Sequence, residues 1–163
     1  MDIEGDTSGT VLRNLFGGAL RCVMPASFRD VSEVRQVPDH QEVWVDKKSD
    51  VSIVVELLGL ATGVGDQVGA KYFIEDLAEA NEAAGATIDF FAPLPNNAMP
   101  RLPEEVPKSA AVGLQAVTKF RRPPGGDSSI GGGSVPSEVV RIFLVNVRLK
   151  SVGTDLLVTL NVP

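Results

Sequence analysis

The sequence predicts an α+β fold built on a mainly antiparallel sheet. Most of its apolar segments alternate with the period of two that is typical of strands, whereas residues 66–82 carry apolar side chains at helical spacing. The predicted order is strands, one clear helix and then strands, without the repeated βαβ units of a parallel sheet. The 163 residues fit one domain, because domains typically contain roughly 100–200 residues.

The first third of the chain predicts a loose N-terminus followed by strands. Residues 1–12 are small, polar or charged, which predicts a flexible tail, and order is expected to begin near Leu15. Residues 30–33 are compatible with one helical turn. Strands are predicted at residues 20–23, 41–46 and 51–58, the last two forming a hairpin.

The helix predicted for residues 66–82 has one apolar face and one charged face. Its buried stripe is formed by Ala70, Phe73, Ile74 and Leu77. Asp66 is a fair N-cap, since a carboxylate at that position accepts a free backbone N–H of the first turn.

The second half of the chain predicts four more strands and two flexible loops. The strands are expected at residues 87–91, 113–121, 138–149 and 155–162, the last two forming an antiparallel hairpin. Residues 92–110 contain five prolines, a density that prevents a long regular element. Residues 122–137 are rich in Gly, Pro and Ser, as flexible segments are. The folded domain is therefore predicted to span residues 13–163.

Charge and composition argue against several classes of function. The formal net charge of −6 disfavours binding to nucleic acid, which requires Lys and Arg against the phosphates. The N-terminus lacks the basic start and apolar stretch of a secretory signal. The longest apolar run is far below the ~20 residues that span a bilayer. These features predict an intracellular protein that does not insert into membranes.

Catalytic and metal chemistry find little support in the sequence. No phosphate-binding glycine loop is placed between a strand and a helix. A single cysteine and a single histidine cannot build a zinc site of nitrogen and sulfur ligands. Cys22 and His40 lack any signature of a catalytic pair, and no two of the acidic residues stand out for acid–base work. No catalytic residue, metal or cofactor is therefore predicted.

The segment from residue 28 to residue 42 is the best candidate for binding a partner. It is rich in charge, and it precedes a strand on which Glu42, Trp44 and Asp46 share one face. An exposed Trp44 beside carboxylates would suit a protein interface, where aromatic anchors carry much of the binding energy. The alternative is a solvated acidic loop with Trp44 packed under a helix, and composition alone favours that alternative.

Several runs resemble the Ran guanine-nucleotide release factor family, also called the Mog family. They are LFGGAL (15–20), MPASFRDVSEVRQVPDHQEVWVD (24–46), SIVVELL (52–58), YFIEDL (72–77) and TDLLVTLNVP (154–163). VPDHQEV (37–43) is the most specific of them. The resemblance implies a twisted, mainly antiparallel sheet flanked by helices on both faces, an α/β/α sandwich shared with the photosystem II oxygen-evolving extrinsic protein. The helices of the second face are expected within residues 26–36 and 100–111.

The resemblance also implies a function without covalent chemistry. Members bind the small GTPase Ran and promote release of its guanine nucleotide, in support of nuclear protein transport. A monomer present in nucleus and cytoplasm is therefore expected. An adaptor in protein trafficking without release activity is the alternative, and a photosynthetic extrinsic subunit is a weaker one. The expected Ran-binding residues are Asp30, Arg35, Asp39, Gln41 and Glu42 from the matching motif, with Trp44 added from its position on the strand.

Overall fold

Nine strands and one α-helix form the regular structure of residues 9–118 and 137–163, the part of the chain that the computed structural model describes. The strands are β1 (Thr10–Leu15), β2 (Leu20–Pro25), β3 (Phe28–Asp30), β4 (Gln41–Asp46), β5 (Ser52–Gly59), β6 (Gly85–Pro93), β7 (Lys108–Thr118), β8 (Ser137–Leu149) and β9 (Thr154–Val162). The helix α1 spans Gly69–Ala80. Single 3-10 turns occupy Phe16–Gly18, Val31–Glu33, Asn96–Ala98 and Lys150–Val152.

Seven of these strands form one sheet in the order β3-β4-β5-β9-β8-β7-β6, and β1 and β2 form a separate hairpin. Every pairing is antiparallel, as the alternating segments predicted. The predicted hairpins β4–β5 and β8–β9 are confirmed. Because β9 pairs with β5, with Val158 opposite Val55, the C-terminal strand joins the two halves of the sheet.

Helix α1 covers one face of the sheet, over β7 and β8. Its predicted apolar stripe is confirmed, because the side chains of Ala70, Phe73 and Ile74 are buried and Leu77 packs beside them. The sheet residues in this cluster are Ala111, Ile142, Leu144 and Leu157. Burial of this one face, rather than helix propensity alone, is what stabilises a twelve-residue helix in water.

The β1–β2 hairpin covers the opposite face of the sheet, over β4, β5 and β9. Leu15 and Met24 from the hairpin form a second buried cluster with Trp44 and Val55. Leu156 and Val158 pack against this cluster, whereas Leu157 between them belongs to the helix side, as alternation along a strand requires.

The second layer of helices that the family resemblance implied is not found in the described residues. Residues 26–36 hold β3 and a 3-10 turn, and residues 100–111 hold turns followed by the start of β7. The hairpin occupies the face where those helices were expected. Five prolines between residues 92 and 110 remove backbone donors, and this explains why that stretch forms no α-helix.

Several predicted boundaries are wrong, including the start of β7, which lies at Lys108 instead of residue 113. Strand β1 begins at Thr10, inside the segment predicted as a tail, because its backbone pairs with β2 up to the Thr10–Pro25 position. Helix α1 begins at Gly69, and its N-cap Val68 offers no side-chain acceptor. Asp66 is therefore not the cap, and its carboxylate instead pairs with Arg148 and Lys150.

The structure describes the whole of the first predicted loop but only the last residue of the second. Strand β6 reaches Pro93 and β7 begins at Lys108, so residues 94–107 contain only turns and one short 3-10 helix. Most of the second loop, through residue 136, lies outside the described residues, and β8 already begins at Ser137. In the described part of the chain, no helix is long and apolar enough to cross a membrane.

Candidate functional site

The predicted binding residues gather where the chain enters β4. Residues 38–41 form a tight turn, called here the β4 turn, in which the N–H of Gln41 donates to the carbonyl of Pro38 at 2.9 Å. The carbonyl of His40 accepts the N–H of Leu57 at 2.9 Å, which ties the turn to the end of β5. The turn is therefore held at one end of the sheet by backbone bonds that do not depend on its side chains.

Asp39 is the carboxylate of this turn that is free to meet a partner. It is exposed, and it makes no hydrogen bond or ion pair with any other residue in 9–118 or 137–163. The neighbouring His40 is exposed as well. An ionised carboxylate in this setting keeps all its acceptor positions for groups outside the chain.

Glu42 lies on the hairpin side of β4 and is already engaged. Its Oε1 accepts the backbone N–H of Phe16 at 2.6 Å, across 26 positions of sequence. Phe16 begins the turn between β1 and β2, so this bond joins two of the motifs that carry the family resemblance. Glu42 therefore holds the hairpin against the strand that carries the β4 turn.

Gln41 and Arg35 lie on the other side of the sheet. The Gln41 amide donates to the carboxylate of Glu56, its register partner on β5. Both side chains line a groove of about 610 Å³ over the part of β4, β5 and β9 that α1 leaves uncovered, and Arg35 stands at the same groove. The structure therefore divides the predicted residues between the two faces of the sheet.

Asp30 has a local structural role. Its Oδ1 accepts the N–H of Ser32 at 2.9 Å and thereby caps the 3-10 turn of Val31–Glu33. The single helical turn predicted at residues 30–33 is confirmed as this 3-10 turn. With one oxygen bound to the backbone, Asp30 contributes its remaining acceptor positions to the surface.

The exposed position expected for Trp44 is wrong. Its side chain is only 7 % exposed and belongs to the cluster under the β1–β2 hairpin. The guanidinium of Arg13 lies over the indole, 5.3 Å from the ring centroid. The burial that composition favoured is confirmed, although the covering element is a hairpin and not a helix. The β1–β2 hairpin covers the face of β4 on which Trp44 lies, so its side chain is not available at the surface.

The structure gives no support to a Cys–His catalytic pair. Cys22 is partly buried among the hairpin residues, and this burial raises the pKa of its thiol. A raised pKa is the opposite of what a nucleophilic thiolate needs. Among residues 9–118 and 137–163, no group of three or more His, Cys, Asp or Glu residues is arranged to hold a metal ion.

The turn from Phe16 to Ala19 is a part of this region that the sequence did not predict. Its two glycines, Gly17 and Gly18, adopt positive φ, 66° and 95°. The adjacent pair of glycines was the signal available in the sequence, since glycine readily adopts the positive φ of left-handed turns. No sequence rule connects such a turn to a glutamate 26 positions away.

Comparisons with known proteins point to one family. The sequence model of the family described as Ran-interacting Mog1 protein matches residues 13–163. The Ran guanine nucleotide release factor of Danio rerio is 34 % identical over 93 % of this chain and 77 % of its own length. The probable Ran guanine nucleotide release factor of Dictyostelium discoideum is 31 % identical over 91 % of this chain and 71 % of its own.

Two further relatives extend the comparison. The nuclear import protein mog1 of Schizosaccharomyces pombe is 30 % identical, covering 91 % of this chain and 75 % of its own. The crystal structure of the Saccharomyces cerevisiae Ran-binding protein Mog1p superposes with a TM-score of 0.67 over 95 % of this chain and 77 % of that one. Its identity of 23 % means that this last match speaks for the fold alone.

Proposed function

The chain belongs to the Ran-interacting Mog1 protein family, and from this membership we propose that it binds the small GTPase Ran and promotes release of its guanine nucleotide, in support of nuclear protein transport. The observation that carries the proposal is the family match over residues 13–163, which includes the whole β4 turn. Relatives that share about a third of its residues are named Ran guanine nucleotide release factors. Such a role places the protein in the nucleus and the cytoplasm, and we propose that it acts as a monomer.

The docking surface that we propose centres on Asp39. Its carboxylate is exposed and has no partner within the described residues, which suits a basic patch on the GTPase. The net charge of −6 favours approach to such a patch. His40 follows Asp39 as an exposed residue, and the exposed Arg35 lines the groove on the helix side of the sheet. Asp30, Gln41 and Glu42 make internal hydrogen bonds and contribute mainly by shaping this end of the sheet.

Nucleotide release follows from linkage. Ran-type GTPases hold their nucleotide with a lysine of the phosphate-binding loop and a magnesium ion. A carboxylate placed near that site competes for the lysine or weakens magnesium coordination. A protein that binds the nucleotide-free GTPase more tightly than the loaded form must lower nucleotide affinity by the same factor. This mechanism requires neither a catalytic residue nor a cofactor.

The test follows a fluorescent guanine nucleotide leaving Ran, with and without the protein, at fixed magnesium concentration. Asp39→Ala is expected to slow the stimulated release and to weaken binding by ~2–5 kcal/mol if its partner charge is left buried and unpaired. Asp76→Ala is the matched control, because Asp76 is another exposed carboxylate and lies on α1. Both variants are expected to keep the wild-type melting temperature.

Each result has a clear meaning. Stimulated release that is lost in Asp39→Ala and kept in Asp76→Ala supports the proposal. Tight binding without any faster release identifies an adaptor instead. Absence of both binding and release contradicts the proposed function as a whole.

A further inference from the structure

Strand β6 forms a free edge of the seven-stranded sheet. Among the described residues it pairs with β7 alone. It is nine residues long, whereas β3 at the opposite edge has three. Proteins usually protect a long edge with charged side chains, because its unpaired backbone groups bind other strands. β6 has one charged residue, Asp89, at its bulge, so residues 90–92 beyond the bulge are open to an added strand.

The backbone groups of Phe91 point to this free edge. Just after the strand, the N–H of Leu94 donates to the carbonyl of Lys108 at 2.9 Å, so these two residues form a hydrogen-bonded pair. Hydrogen-bonded and non-hydrogen-bonded pairs alternate along antiparallel strands. Phe91 and its register partner Ala111, three positions away, are therefore a non-hydrogen-bonded pair. The N–H and C=O of Phe91 consequently face away from β7 and are available to another chain.

A groove of about 680 Å³ lies beside this edge, between β6 and α1. Apolar side chains line it, with Ile74 and Ala78 from the helix and Ile88 from the strand. Phe91 lines it as well, and its side chain is 44 % exposed. In a strand added to β6, every second side chain points to the α1 side of the sheet. Those side chains would enter this groove, as in other cases of strand addition to a sheet edge.

The helix beside the groove is acidic. It carries one base, Lys71, and three exposed carboxylates, Glu75, Asp76 and Glu79, which leaves α1 with a net charge of −2. The Lys71 Nζ lies 2.6 Å from Glu75 Oε1 and 5.8 Å from the ring centroid of Phe91, so its charge is compensated within the site. Such a surface attracts lysine and arginine side chains and repels acidic ones.

We propose that β6 and the adjoining groove bind an extended segment of a partner protein that has apolar residues at its centre and basic residues beside them. The backbone of this segment pairs with Phe91, and its alternate side chains fill the groove. The remaining side chains pack on Phe90, which is 58 % exposed and faces the other side of the sheet. Lysine or arginine residues of the segment face the carboxylates of α1.

This site is separate from the one proposed for Ran. In the sheet order β3-β4-β5-β9-β8-β7-β6, the β4 turn belongs to one end and β6 is the last strand at the other. The inference therefore goes beyond the proposed function and does not depend on it. A protein with both sites can hold the GTPase and a second protein at the same time.

The first experiment selects peptides on the purified full-length protein. One phage-displayed library has six random residues between pairs of lysines, and a second has glutamates in place of the lysines. Only the lysine library is expected to yield binders, with apolar residues at alternate positions. Equal enrichment from both libraries, or none from either, would overturn the proposal.

The second experiment measures the affinity of a selected lysine-flanked peptide by calorimetry. Phe91→Ala is expected to weaken binding roughly tenfold or more, as removal of an aromatic anchor does. Tyr72→Ala is the matched control, because Tyr72 is 42 % exposed on α1 but does not line the groove. Asp39→Ala is expected to bind the peptide like the wild type. Equal losses in Phe91→Ala and Tyr72→Ala would contradict the assignment of the groove.

Amide hydrogen exchange tests whether the peptide pairs with the backbone. Exchange at Phe91 is expected to slow by roughly tenfold or more in the complex, because its N–H gains an acceptor. Alternation gives the N–H of Ala92 to β7, so exchange there is expected to change much less. Tight binding that leaves exchange at Phe91 unchanged would show that no strand is added, and the proposal would be wrong.

The remaining outcomes separate this proposal from its alternatives. If the wild-type protein sediments as a dimer that Phe91→Ala abolishes, a second copy of this chain occupies the edge and the peptide proposal is wrong. If Asp39→Ala loses the peptide and Phe91→Ala keeps it, the peptide binds at the β4 turn instead. Peptide binding that depends on Phe91 supports the edge site even if nucleotide release from Ran is not stimulated, a result that sinks the proposed function alone.

Discussion

Arg148 and Asp155 form an ion pair inside the protein, with Nε 3.0 Å from Oδ1 and side chains that are 3 % and 0 % exposed. The guanidinium also donates to the carbonyls of Ala61 and Val64, and the carboxylate accepts the N–H of Ala61 at 2.8 Å. The pair therefore fastens the segment between β5 and α1 to the β8–β9 hairpin.

Asp155→Ala is expected to destabilise the protein by ~3–5 kcal/mol, because it removes the buried carboxylate partner of Arg148 and leaves only the partly exposed Asp66 to pair with the buried charge. The measurement is the midpoint of denaturant unfolding followed by circular dichroism. The control is Asp89→Ala, which breaks the surface pair between Asp89 and Arg141, where both side chains are more than 40 % exposed. That change is expected to cost ~0–1 kcal/mol. Similar midpoints for the two variants would show that the buried pair contributes no more than a surface one.

Gly69→Ala tests the close packing at the start of α1. A Cβ on Gly69 would lie 2.0 Å from Oδ1 of Asn146, whose amide nitrogen donates to Asp155 at 3.1 Å. Asn146 has no room to move without disturbing that bond, so we expect a loss of ~1–3 kcal/mol or more in unfolding free energy. Gly85→Ala, with no atom within 4 Å, is expected to stay within about 0.5 kcal/mol of wild type. An unchanged free energy of unfolding in Gly69→Ala would mean that the start of α1 can shift to make room for the methyl group.

Much of the sheet could be predicted from the sequence because alternation is a local property. β4 has the predicted bounds, and the apolar stripe of α1 is the one that helical spacing selects. The β1–β2 hairpin as a covering layer could not be predicted, since its packing on Trp44 depends on contacts between distant parts of the chain. The hydrogen bond between Glu42 and Phe16 could not be predicted for the same reason, because it joins distant parts of the chain.

The burial of Trp44 under a hairpin could not be predicted from the local sequence pattern. Alternation correctly places Trp44 opposite Val43, but a period of two does not tell whether the face that Trp44 shares with Glu42 and Asp46 is exposed. The resemblance placed helices on the second face, and neither segment expected to hold them forms one. Only the tertiary structure decides that a hairpin covers this indole.

The burial of Trp44 can be tested by fluorescence, since it is the single tryptophan of the chain. We expect a blue-shifted emission maximum and weak quenching by acrylamide in the native state, because the side chain is 7 % exposed. Both properties should change to those of free tryptophan on unfolding. Trp44→Ala is expected to cost ~3–5 kcal/mol, as other aromatic deletions in cores do. Efficient quenching of the native protein would restore the interpretation of Trp44 as an interface residue.

Cys22 is expected to react slowly with alkylating reagents at neutral pH. Burial raises the pKa of its thiol, so the reactive thiolate is scarcer than in the unfolded chain. The pKa of the thiol is higher in the folded than in the unfolded protein. The contribution of Cys22 to the free energy of unfolding is therefore fully present below the unfolded pKa and is lost as pH rises through the folded pKa. The measurement is the iodoacetamide rate against pH, with and without denaturant. Equal rates in both conditions would contradict the burial of the thiol.

Association with Ran is expected to slow as salt concentration rises. A protein of net charge −6 approaching a basic patch is steered by its field, and the screening length falls from about 10 Å at 0.1 M salt to about 3 Å at 1 M. Stopped-flow association rates over this range give the salt dependence. Asp39→Asn should reduce the slope as well as the affinity, because its carboxylate is the unpaired charge of the β4 turn. Asp76→Asn on α1 changes net charge equally and should alter the slope much less. The same slope for both variants would mean that net charge steers the encounter and that the β4 turn has no special part in it.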